Sequence, residues 1–91
     1  MKIECDPDKR AMTLEHRGLD RAQTGEIFDG ATLTIADERK DYGEERFITI
    51  GRLRGRMVVV VWTARGVARR IISLRKANDR EQALYGLRLD G

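Results

Sequence analysis

From residue 31 onward the chain carries a two-residue rhythm of apolar and polar positions that its first thirty residues lack. In ATLTIA (31–36), Leu33 and Ile35 alternate with Thr32 and Thr34, the pattern of a half-buried strand. Further strands are predicted at 45–51 (ERFITIG), 56–63 (RMVVVVWT) and 68–75 (ARRIISLR). The connections Arg52–Gly55 and Ala64–Val67 are short and contain glycine, so these three strands form an antiparallel meander. Trp62 alternates with Val58 and Val60, which makes it a core or partner-facing residue in preference to a base-stacking platform. On strand 68–75 a strict alternation puts Arg70, Ile72 and Leu74 on one side. Arg69, Ile71, Ser73 and Arg75 then take the other, a mixture that suits an open face. Residues 37–44, DERKDYGE, are a polar loop whose apolar anchor is Tyr42.

Ahead of the strands the signals are helical. KIEC (2–5) is a short strand candidate, and Asp6-Pro7 marks a helix start, with Asp6 as N-cap and Pro7 in the first turn. That helix runs to about Arg17, turns Ala11, Met12 and Leu14 inward, and stops at Gly18. Asp20 with Gln23 opens a second helix that ends before Asp29-Gly30, its inner face Ala22, Ile27 and Phe28. Asn78 with Glu81 forms a capping box for a helix over 79–86, ending near Gly86, and 87–91 reads as a tail. The order β-α-α-β-β-β-β-α predicts an α+β fold in a single domain spanning 1–91. Its expected form is an antiparallel four-stranded sheet with two helices on one face and a C-terminal helix, leaving part of the other face open.

Charge sharpens the picture. The net charge of +3 hides an asymmetry, because residues 1–50 hold 8 Lys/Arg against 12 Asp/Glu and residues 51–91 hold 10 against 3. Residues 52–76 alone carry eight basic residues and no acid. Such a concentration points to a polyanionic partner. Of the 18 basic residues 14 are Arg, whose planar fork matches phosphate and stacks on bases.

Other classes fall away. The longest apolar run, Met57 to Trp62, is six residues and too short to cross a bilayer. A single Cys5 makes no intramolecular disulfide and fits the cytoplasm. One His, one Cys and no carboxylate pair at ligand spacing argue against a catalytic metal, so none is expected. Neither a phosphate-binding GxxxxGK[ST] loop nor a GxSxG elbow is present.

The segments DPDK, RGLD, DYGEERFITIGRLRGRMVVVVWTARG and RRIISLRKAN, with a trailing Glu81-x-x-x-Tyr85, follow one another across residues 4–85. In this order and spacing, most densely from GEERFITIGR through RIISLRKA, the chain resembles the BrnT family of bacterial toxins. The resemblance implies a RelE-like fold and a type II toxin–antitoxin system. Its toxin is a ribonuclease, and its antitoxin a ribbon-helix-helix protein encoded beside it. The complex represses its own operon, so operator DNA is met only through the antitoxin, in a dimer or hetero-oligomer. The chain departs from the family pattern at Cys5, where Trp is usual. It departs again at His16-Arg17-Gly18, where the imidazole stands one position early, a rotation of about 100° on a helix.

A metal-free ribonuclease of this kind uses the substrate's 2′-OH against the adjacent phosphorus, and the protein supplies charge stabilisation, a proton acceptor and a proton donor. Arg70 and Arg75 are the candidates for charge stabilisation at the reacting phosphate, with Lys76 beside them. Arg46, Arg52, Arg69 and His16 are further RNA-binding candidates. Glu81 and Tyr85, one helical turn apart, are the acid–base candidates, with Tyr85 also placed to stack on a base. Two other readings use the same basic face: a nucleic-acid-binding module without catalysis, and a subunit whose positive surface seats an acidic antitoxin segment.

Overall fold

Two tight turns organise the sheet. At Arg54-Gly55 both residues adopt positive φ (53° and 82°), the combination a type I′ hairpin needs and one that matches strand twist. The second reversal falls at Gly66-Val67, with Gly66 at φ 58°. In the computed structural model, which describes residues 2–90, these turns join β3 (Phe47–Leu53), β4 (Arg56–Arg65) and β5 (Ala68–Lys76). β2 (Leu33–Ala36) pairs antiparallel with β3, through contacts such as Thr34 against Thr49. The expected antiparallel meander is present, with β4 and β5 slightly longer than the alternation indicated and β3 displaced two residues toward the turn.

The sheet itself corrects the expectation of four antiparallel strands. It has five, in the order β1-β5-β4-β3-β2, and β1 (Lys2–Glu4) lies parallel to β5, Lys2 opposite Ala68 and Glu4 opposite Arg70. Three residues carry too little periodicity to name a partner more than sixty positions away, so this pairing was not legible.

α1 (Pro7–Arg17) starts as expected. The Asp6 carboxylate accepts the amides of Asp8 (2.9 Å) and Lys9 (3.2 Å), and Gly18 closes the helix at φ 66°. Its packing differs: Ala11, Met12 and Leu14 are exposed and Thr13 is buried. The helix docks through a polar contact, Thr13 Oγ1 donating to the Lys9 carbonyl and accepting from Arg21 Nε, each at 2.8 Å. The second predicted helix splits into a 3-10 turn (Arg21–Gln23) and the four-residue α2 (Gly25–Phe28). Ile27 is fully buried there, Phe28 half-buried and Ala22 exposed.

α3 (Asp79–Asp90) passes through Gly86 where a stop was expected, so residues 87–90 are helical and only Gly91 of the supposed tail lies outside the described residues. A mid-helix glycine costs about 1 kcal/mol. Burial of Leu89 and half-burial of Tyr85 against the sheet offset that cost. The capping box forms as predicted: Asn78 Oδ1 accepts from the Glu81 amide (2.8 Å) and Glu81 Oε1 from the Asn78 amide (2.9 Å).

The core has two parts, one on each face. Leu19, Ile27, Leu53, Val58, Val60, Ile71 and Leu74 pack beneath α1 and α2, with Ile3, Cys5 and Trp62 at the margin. Ile50, Met57, Val59, Ala77 and Leu89 pack beneath α3. Gly51 lets α2 approach β3, since a Cβ there would lie 2.6 Å from Ile27 Cγ2.

Candidate active site

A bulge in β5 decides which basic residues share a face. Val61 pairs with Ser73 but Trp62 pairs with Ile71, so Ile72 is skipped. One extra residue inverts the alternation beyond it. Arg69, Ile71 and Leu74 therefore face α1 and α2, while Arg70, Ser73 and Arg75 share the opposite face. This overturns the strict alternation expected from the sequence, which separated Arg70 from Arg75 and grouped Arg69 with it.

On that second face, beside α3, lies a cleft of about 300 Å³. Its floor is apolar, formed by Ile48, Ile50, Val59 and Val61. Arg75 and Ser73 of β5 with Glu81 and Tyr85 of α3 line one side, and Ile35 and Arg39, at and beyond β2, line the other.

Each side carries an arginine held by a carboxylate in a bidentate pair. Arg75 donates through Nη1 (2.7 Å) and Nη2 (2.9 Å) to Glu81. The Arg75 guanidinium holds the Glu81 carboxyl down at about 2, with help from the Asn78 amide, so it is ionised at any physiological pH. Arg39 donates through Nε (2.7 Å) and Nη2 (2.8 Å) to Asp37, whose side chain is fully enclosed and also accepts from the Tyr42 hydroxyl at 3.2 Å. Arg39 first, then its backbone amide and Tyr42, outweigh burial and keep the Asp37 carboxyl at about 2. Arg39's charge reaches Arg75, where it disfavours protonation, though Glu81 raises the Arg75 pKa overall. Each guanidinium keeps N–H donors beyond those its carboxylate uses.

Arg75, Glu81 and Tyr85 thus come together as the sequence suggested. The other candidates do not join them. Arg70 shares their face but sits near β1, 3.9 Å from Glu4. Arg46 stacks on the Tyr42 ring (4.1 Å) and pairs with Glu44 in a separate hollow. Arg52 and Lys76 line another hollow near the β3–β4 turn. Arg69 lies over Phe28 (3.9 Å) and Trp62 (5.1 Å) on the opposite face, which corrects its grouping with the exposed basic residues. His16 is on α1, outside the cleft.

Sequence reasoning missed Arg39 altogether. Its signal was Asp37 two residues earlier in the loop, a spacing at which the Asp37 carboxylate also accepts the Arg39 amide (3.3 Å). Nothing in the loop's composition indicated that Asp37 would be buried.

The family model for BrnT, described as a ribonuclease toxin of type II toxin–antitoxin systems, matches residues 5–81. The chain belongs to the BrnT family. No curated protein matches the chain. BrnT toxins are ribonucleases that work with an antitoxin, so an RNA target and an antitoxin partner follow at family level. The matched span contains β2 to β5, both arginine–carboxylate pairs and every cleft residue except Tyr85. No helix among the described residues is long and apolar enough to cross a membrane.

Proposed function

We propose that the cleft is the ribonuclease site and that cleavage there is metal-independent. The substrate's 2′-OH gives its proton to solvent water and its oxygen bonds to phosphorus, while the P–O5′ bond breaks and the 5′-oxygen takes up a proton, giving a 2′,3′-cyclic phosphate and a 5′-hydroxyl. The observation that carries this reading is the pair of carboxylate-anchored arginines flanking an apolar floor. The floor suits a base or ribose, and preorganised guanidinia suit the extra charge of the phosphorane.

Arg75 is the group assigned to the reacting phosphate. Glu81 orients Arg75, since a carboxyl held at about 2 is a weak proton acceptor. Tyr85 stacks on a base or donates a proton to the leaving oxygen. Arg39 binds a second phosphate, and Arg70 and Ser73, on the same face of β5, continue the backbone contact. The antitoxin in this reading is a ribbon-helix-helix protein, operator DNA is met through it, and the RNA is cytoplasmic.

A second reading, RNA binding without cleavage, draws on the same pairs, because each arginine already carries a carboxylate. One experiment separates them. The chain and its Arg75→Ala variant are incubated with end-labelled single-stranded RNA in EDTA, with and without ribosomes. Cyclic-phosphate ends with the wild type alone support the enzyme; binding without new ends in both conditions supports the second reading.

A further inference from the structure

Among the described residues, Arg21 is a buried cation with no carboxylate in contact. It is 7% exposed, and its hydrogen bonds go to neutral oxygens: Nε to Thr13 Oγ1 at 2.8 Å and Nη1 to the Ile71 carbonyl at 3.4 Å. Arg17 lies beside it, Nη1 donating to the Leu74 carbonyl at 2.7 Å. Burial, and then the charge of Arg17, press the Arg21 pKa below its ordinary value. β1 ends opposite Arg70, so from Ile71 onward this edge of β5 meets guanidinia instead of a strand.

Both arginines line a hollow of about 410 Å³ that shares no residue with the cleft. Lys9, Thr13 and His16 of α1 complete its polar lining, and Met12 and Ile72 supply apolar surface. Met12 is 58% exposed. Among the described residues no carboxylate lies within 4.0 Å of Lys9, His16, Arg17 or Arg21. Asp20, adjacent to Arg21, is committed to Arg10 at 2.7 Å, and Asp6 caps α1 and reaches Arg21 only through its more distant charge.

A desolvated guanidinium without an opposite charge is costly, and an arriving carboxylate recovers that cost through a charge-assisted pair. We propose that this hollow is the docking site for an acidic, amphipathic segment of the antitoxin, its carboxylates meeting Arg17, Arg21, His16 and Lys9 and an apolar side chain covering Met12 and Ile72. The recess favours protein over nucleic acid. A carboxylate on a flexible side chain reaches Arg21, whereas a phosphate flanked by its sugars meets α1 first, and the apolar lining has no use for a phosphate backbone. The inference rests on the antitoxin partner that family membership entails, and is independent of the chemistry in the cleft.

The test measures the affinity of the purified chain for its cognate antitoxin by calorimetry, at several salt concentrations. RNA binding and cleavage are read in parallel. A Lys9→Glu/His16→Glu double variant changes only exposed positions, and Arg21→Gln, checked by its melting curve, removes the buried charge. The expected result is antitoxin affinity about tenfold weaker or more in the double variant, with a shallower salt dependence, recovered when an acid of the bound antitoxin segment is changed to Lys. Unchanged antitoxin affinity in the double variant overturns the proposal. So does a loss confined to RNA affinity, which would make the hollow a nucleic-acid site. A chain that binds antitoxin through this hollow yet cleaves no RNA would refute the proposed catalysis and leave the docking site standing.

Discussion

Arg75 and Glu81 meet across the turn from β5 to α3, Nη1 to Oε1 at 2.7 Å and Nη2 to Oε2 at 2.9 Å, while Glu81 Oε1 also accepts the Asn78 amide at 2.9 Å. One carboxylate therefore caps a helix and aims an arginine. Replacing Arg75 by Ala is expected to lower RNA cleavage by about a hundredfold or more, the scale of a lost charge-stabilising donor. Arg75→Lys keeps charge but not the fork, and is expected to recover only part of it. Glu81→Gln should fall between, with kcat more affected than KM. Equal activity in all three variants, measured on a defined RNA, would remove Arg75 from the site.

Acid titration tests the same pair. Glu81 is held at about 2 against an ordinary 4.5, so its folded-state pKa is depressed. Its contribution to stability is then complete above the unfolded value and lost as pH falls from about 4.5 towards 2. Glu81→Gln should flatten that part of the stability curve, followed by urea melts between pH 2 and 6. Because Arg75 is 44% exposed, screening limits the effect to about 1 kcal/mol or less. No step from Glu81 is expected between pH 5 and 8.

Arg39 is expected to act on binding. Arg39→Ala should weaken RNA affinity and reduce the slope of log affinity against log salt by about one, as for the loss of one phosphate contact. Asp37→Asn should move both quantities the same way, since the guanidinium loses its anchor. An unchanged salt slope for Arg39→Ala would show that no phosphate sits there.

The bulge at Ile72 assigns different work to neighbouring arginines. Arg69→Ala should cost stability, about 0.5–2 kcal/mol from the lost contacts with Phe28 and Trp62, and leave RNA affinity near wild type. Arg70→Ala should do the reverse. Finding the two effects exchanged in denaturant melts and RNA titrations would mean that β5 runs without a bulge.

Packing of α2 on β3 offers a test of the fold. Gly51→Ala drives a methyl to 2.6 Å from Ile27 Cγ2 and should destabilise by about 1–3 kcal/mol through overpacking. Leu74→Ala, at a fully buried position, should cost about 2–5 kcal/mol. A melting curve unmoved by Gly51→Ala would mean that α2 stands further from the sheet.

The elements announced by local rules were legible. Asp6 with Pro7, Asn78 with Glu81, Gly55 and Gly66 each act within a few residues, and each signal corresponds to a cap or turn in the structure. Helix packing was less legible, because α1 docks through Thr13 and the guanidinium groups of Arg17 and Arg21 while Met12 and Leu14 stay outside. An amphipathic reading follows apolar side chains, and here the burial is polar. α3 outran its predicted stop because contacts of Leu89 and Tyr85 with a distant sheet outweigh one glycine.

By itself the sequence determined the α+β order of elements, the antiparallel meander, the acid-free basic stretch and the family, all of which rest on short-range pattern or on the order of segments. Only the tertiary structure decided that β1 joins β5 in parallel, that Ile72 bulges and brings Arg70 onto the face of Arg75, and that Asp37 carries Arg39 to the cleft. Each of those depends on which distant strand lies alongside. Backbone pairing and burial set that, and neither leaves a periodic mark in so few residues.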